Sequence, residues 1–221
     1  MQKISEENNF IYLAGGLVLL LFIGSLLEHF PGDSGPRITQ GATVAALLIG
    51  SGTLKGTSRL VSILVFALLM VLLVVGGALL DQVGFVYIHL LLLLSFFVWM
   101  TWVAARQVLF TGTITENDIV GAICIYMLLG LIWAILYLFI AEISPGAFNG
   151  LPQAPWLENF AEAVYFSFVT ITTLGYGDIL PVQPLPRFLV LMEAIVGVFY
   201  MAILVASLIG VRMSARQAAH K

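Results

Sequence analysis

Six long apolar runs alternate with short polar breaks along this chain. A helix crossing a bilayer takes about 20 mostly apolar residues. The runs predict spans at Phe10–Leu27, Ile38–Leu54, Leu60–Leu80, Gly84–Ala105, Ile119–Ala141 and Phe188–Val211. The first could be read as a signal peptide. Its length and the lack of a small-x-small cleavage site favour a helix instead. The second is short and interrupted by Gly41, Gly50 and Gly52. Paired glycines such as Gly15, Gly16, Gly76 and Gly77 are expected where helices approach closely. A seventh apolar segment, Phe160–Thr172, is too short to span. It follows a stretch from Ser144 to Glu158 carrying Pro145, Gly146, Gly150, Pro152 and Pro155, which predicts a loop. Asn159 and Glu162 are placed to cap its start. A short apolar helix between two spans is a re-entrant half-helix, tolerated where protein or a water-filled cavity surrounds it.

Composition agrees with the pattern. The chain of 221 residues is 61% hydrophobic and 10% charged, where a soluble domain is near 25% charged. The net charge of −3 and the lack of a basic cluster give no reason to expect nucleic acid as a partner. No cofactor or catalytic constellation is expected, so an enzyme is not the reading. Cys124, the single cysteine, sits in an apolar run and reads as a small buried residue. With a cytoplasmic N-terminus, Lys3, Lys55, Arg59, Arg106, Arg212, Arg216 and Lys221 fall inside and only Arg37 and Arg187 outside. That satisfies the positive-inside rule and predicts a multi-pass cell-membrane protein, in a bacterial inner membrane, with both termini cytoplasmic.

The chemistry lies in Thr170-Ile171-Thr172-Thr173-Leu174-Gly175-Tyr176-Gly177-Asp178, followed by Pro181. A dehydrated cation needs oxygens in place of water, and a row of backbone carbonyls supplies them. Gly175 and Gly177 suit the backbone angles that turn successive carbonyls one way. Thr173 can add a hydroxyl. The C-terminal end of the half-helix points the negative end of its dipole toward the same place.

These residues, with the flanking spans from about Ile119 to Val211, resemble the potassium-channel superfamily. The resemblance implies K+ sites at the carbonyls of Thr173, Leu174, Gly175 and Tyr176, with Gly177 closing the filter. Leu174 stands where the usual residue is valine, and its side chain is expected to face the pore helix. Thr172 supports the filter, and Tyr165 is placed to bond Asp178 behind it. Val169 stands where some bacterial relatives carry a glutamate. Gly197, twenty residues after Gly177, has the spacing of the superfamily's hinge glycine, although close packing is an equal reading. Beyond it, Val198, Ala202, Val205 and Ile209 share a helix face that would line a cavity or gate, or pack on neighbours. Glu193, a carboxylate deep in an apolar helix, is a functional candidate. It is expected either to bond pore-helix hydroxyls such as Thr170 or Thr172, or to titrate. His89 reads as a packing residue.

The expected fold is all-α and membrane-integral, with six transmembrane helices, a re-entrant pore helix and a selectivity-filter loop. Residues 1–105 would form a four-helix region without sensor charges and 106–118 a cytoplasmic linker. Thr115 would cap the next helix, and the linker is either a connector pulling on the pore or a plain tether. Residues 119–211 would be the pore domain and 212–221 a short tail, with no ligand-sensing domain after it. One filter per chain cannot surround an ion, so a homotetramer is expected. The span Gly84–Ala105 lacks the repeated arginines of a voltage sensor, and the whole resembles bacterial six-span ion-channel proteins without one. The implied function is voltage-insensitive or weakly voltage-dependent potassium conduction. The alternatives are a non-conducting membrane subunit and a component of a potassium-uptake system.

Overall fold

The computed structural model describes residues 9–27, 66, 68–69, 84–109 and 116–219, without the side chains of 9, 23–27, 109, 116, 205 and 208–219. Its elements in chain order are α1 (Asn9–Leu27), α2 (Gly84–Leu109), α3 (Glu116–Ile143), β1 (Phe148–Asn149), α4 (Phe160–Ile171), β2 (Leu180–Pro181) and α5 (Pro184–Ala219). Among the described residues, three stretches are long and apolar enough to cross a membrane: Gly84–Val108, Asn117–Ile143 and Pro184–Leu204. The expected second span lies outside the described residues. Of the third, Phe66, Leu68 and Leu69 are described, and all three are helical.

Helix α3 is the axis on which the others pack. Buried residues recur along it at Cys124, Leu128, Leu131, Ile135 and Leu138, the three-and-four spacing of one helix face. Helix α1 brings a matching stripe of Phe10, Leu13, Leu17 and Leu20, and α2 brings Leu90, Leu93, Phe97, Met100 and Ala104. The start of α1 is also tied down by polar atoms. The Phe10 N–H donates to Asn117 Oδ1 at 3.2 Å, and the Cys124 thiol sits 3.5 Å from the Phe10 carbonyl. Phe66 stacks on Trp99 and meets Phe96 edge-on. His89 is buried and lies 5.0 Å from the Trp156 ring, a packing role as expected.

Several expectations change. The fold is mostly helical, but β1 and β2 form a small antiparallel pair, Phe148 opposite Pro181 and Asn149 opposite Leu180. Of the polar stretch 106–118, residues 106–109 and 116–118 are described and helical, in keeping with a helix start after Thr115, and Arg106 lies over the Trp102 ring at 3.9 Å. Helix α3 begins at Glu116, directly after Thr115, which is outside the described residues. Among the described residues, nothing lies within 4 Å of a would-be Cβ at Gly15. Gly76 and Gly77 are outside the described residues. The last helix starts at Pro184, earlier than Phe188, since prolines in a first turn are already in helical φ.

Candidate ion-binding loop

Helix α4 buries Phe160, Ala163, Val164, Phe166, Ser167, Val169 and Ile171 against α3 and its neighbours. Asn159 precedes it, but its side chain makes no cap bond. The amide instead donates to the carbonyls of Pro152 and Ala154, both at 2.9 Å, so it fastens the preceding loop and the expected capping box does not form. The same loop is held by Glu142, whose Oε1 accepts the Trp156 N–H at 2.6 Å.

Past Ile171 the backbone changes hand at every second residue. Thr173, Gly175 and Gly177 have φ of 61°, 58° and 82°, and Thr173 is the one non-glycine with positive φ among the described residues. Alternating hand turns successive peptide groups to the same side. The N–H groups point back into α4: Thr172 to Phe168 O, Thr173 to Thr170 O, and both Leu174 and Gly175 to Val169 O, at 2.9–3.2 Å. The Thr172 hydroxyl also turns back, donating to the Phe168 carbonyl at 2.6 Å. With its donors consumed by the helix end, the loop presents acceptors on its other side. Residues 172–178 are all exposed in the single chain.

The far end of the loop is clamped. Tyr165 Oη donates to Asp178 Oδ2 at 2.6 Å, the bond expected from the sequence. That hydroxyl, with the Ile179 N–H on Oδ1, holds the Asp178 carboxyl below the usual carboxylate range. Beyond Asp178, β2 pairs with β1, and the Val182 N–H donates to Ala147 O at 3.0 Å. Gly150, at φ 87°, passes so close to Asp178 that a Cβ would lie 2.1 Å from its carbonyl oxygen. Leu174 is 55% exposed, so the expected packing of its side chain on the pore helix of the same chain is not seen. What faces the helix is its N–H.

Behind α4, Glu193 is fully buried and bonds a pore-helix hydroxyl, as expected, although not the ones named. Its partners are Ser167 of α4, at 2.5 Å, and the Tyr137 hydroxyl of α3, in place of Thr170 or Thr172. One turn later Gly197 meets the Ile171 carbonyl, which also accepts from Tyr126 at 2.9 Å. Helix α5 runs unbroken through Gly197. Val198 and Ala202 are exposed, and the side chains of Val205 and Ile209 lie outside the described residues. Sequence reasoning passed over Ser167, Tyr137, Tyr126, Glu142 and Gly150. Polar heads on Tyr126, Tyr137 and Ser167 within apolar helices were the available signal, since such groups need partners away from water.

Comparison with known proteins finds one family and one similar protein. Residues 121–213 match the model of a family described as "Ion channel". A similar curated protein is the inward rectifier potassium channel Kirbac3.1 of Paramagnetospirillum magnetotacticum, 32% identical over 90 residues, 41% of this chain. The chain spans 28% of that channel's length. No solved structure matches. The alternating-hand loop and the half-helix that holds it both lie within the residues that match the ion-channel family model.

Proposed function

We propose that the chain is a potassium-selective channel that conducts passively through a homotetramer, with K+ held by the carbonyls of Thr173, Leu174, Gly175 and Tyr176. The observation that carries this reading is the alternation of φ sign at Thr173, Gly175 and Gly177, with the N–H groups of Thr172 to Gly175 tied into α4. It leaves a row of acceptors on an exposed edge, and in a membrane such backbone needs water, ions or protein against it. Four copies around an axis supply all three. The same face of α5 offers Phe188, Leu191, Ile195, Val198 and Phe199 to neighbours, all exposed in one chain.

The conductance is weakly voltage-dependent, because α2 carries no Arg or Lys before Arg106, and that side chain lies on Trp102 at the helix end. The protein sits in the cell membrane with both termini cytoplasmic, following the distribution of Lys and Arg. Ion flux from liposomes is the test. Vesicles holding the purified chain should release K+ and retain Na+, and cross-linking should trap a tetramer. Equal release of both ions, or a chain that stays monomeric, rejects the reading.

A further inference from the structure

Two hydrogen-bond contacts meet at Glu193 and a third links its partner Ser167 to Gly130, and with a carboxylate the three contain one proton too few. Tyr137 Oη contacts Oε2. Ser167 Oγ contacts Oε1 at 2.5 Å and also the Gly130 carbonyl at 2.7 Å. A carbonyl only accepts, and a serine hydroxyl has a single hydrogen. If Ser167 gives that hydrogen to Gly130, its contact with Glu193 needs a hydrogen from Glu193. If it gives it to Glu193, the Gly130 contact has none. The tyrosine hydrogen is spent on Oε2. Glu193, Ser167 and Tyr137 are each 0% exposed, so bulk water does not reach them.

We propose that Glu193 is a neutral carboxylic acid, donating to Ser167 and accepting from Tyr137, and that in this form it is the positioning residue that locks the pore helix between α3 and α5. The chain of donors then closes: Tyr137 to Glu193, Glu193 to Ser167, Ser167 to Gly130. Charge points the same way. A carboxylate at this depth requires a cation, and the described basic and imidazole side chains are engaged elsewhere: His89 on Trp156, Arg106 on Trp102, Arg187 on the Pro181 carbonyl. The titratable groups facing Glu193 are Tyr126 and Tyr137 of α3, and both are neutral donors. α4 faces it with Ser167. The lock reaches the ion loop over a short path. Ser167 lies two residues before Val169, whose carbonyl holds the N–H groups of Leu174 and Gly175.

This inference rests on the channel reading for its consequence, but its first test does not. Infrared difference spectra of the purified full chain against E193Q, at neutral pH, should show a protonated-carboxyl stretching band belonging to Glu193. Absence of that band overturns the proposal, whether or not the protein conducts. The second test separates positioning from bulk. An amide can accept from Tyr137 and donate to Ser167, so E193Q should keep the K+/Na+ permeability ratio within about twofold, whereas E193A strands the buried Tyr137 hydroxyl, removes the donor to Ser167 and should lower it about tenfold or more. Raising pH until Glu193 ionises should lower the ratio in the parent and leave E193Q flat. If E193Q behaves like E193A, or both proteins show the same alkaline profile, Glu193 is not the neutral lock. A parent that shows the band but passes no K+ defeats the channel reading alone.

Discussion

Gly197 of α5 lies against the end of α4 so closely that a Cβ would sit 2.3 Å from the Ile171 carbonyl oxygen and 2.8 Å from the Ile171 side chain. The obstacle is backbone, which cannot swing aside. Gly197→Ala should therefore push α5 away from the helix that carries the ion loop, at a cost of about 1–3 kcal/mol per chain, the usual range for overpacking. Thermal stability of the purified protein in detergent would show it as a lowered midpoint. A variant of parental stability with altered open probability would instead make Gly197 a hinge.

Gly175 and Gly177 are the converse case. Among the described residues of one chain, nothing lies within 4 Å of a Cβ built at either position, yet both have positive φ. Alanine there meets conformational strain without collision, on the order of 1–2 kcal/mol per residue. Gly175→Ala and Gly177→Ala should fold and assemble but lose K+ selectivity or conduction. Normal selectivity in both would mean that this backbone does not hold the ions.

The bond from Tyr165 to Asp178 predicts an acid effect of definite sign. The folded protein holds the Asp178 carboxyl below its ordinary range, with the Tyr165 hydroxyl as the main cause. The bond is therefore complete above the unfolded carboxylate value near 4, and is lost as pH falls through the lowered folded value. Acidification on the Tyr176 side should reduce conductance below about pH 4, where carboxylates take up protons. Tyr165→Phe should shift that fall to higher pH and weaken conduction at neutral pH. An unchanged acid profile in Tyr165→Phe would remove Asp178 from the account.

Much of this was legible in the sequence for simple reasons. The helices α1, α2, α3 and α5 are written in runs of apolar residues, and the loop in the spacing of Thr173, Gly175 and Gly177. The Tyr165–Asp178 bond was readable because both partners lie in one local unit. The partners of Glu193 were not, since Tyr137 and Ser167 come from two other helices and only packing decides which hydroxyls meet the carboxylate. Asn159 was misread for a similar reason. Its type and position suit a cap, but the carbonyls of Pro152 and Ala154 compete for its amide. Gly15 and Gly197 are the same residue type in apolar helices, and among the described residues only the neighbouring Ile171 makes one of them a contact point.

Voltage should change the conductance little. Moving one charge through the membrane field is worth about 2.3 kcal/mol per 100 mV, and steep gating takes several such charges per subunit. Helix α2 has no Arg or Lys before Arg106, which sits on Trp102. Conductance against voltage in symmetric K+ should be shallow. A steep sigmoidal rise that survives removal of blocking ions would contradict this.

The central claim is that the carbonyls from Thr173 to Tyr176 select K+. Its most direct test is the reversal potential of the purified chain in a planar bilayer with K+ on one side and Na+ on the other. The account predicts a reversal potential strongly displaced in the direction of K+ selectivity, and a displacement that collapses in Gly175→Ala. A reversal potential near zero in the parent, with current carried equally by Na+, would contradict it.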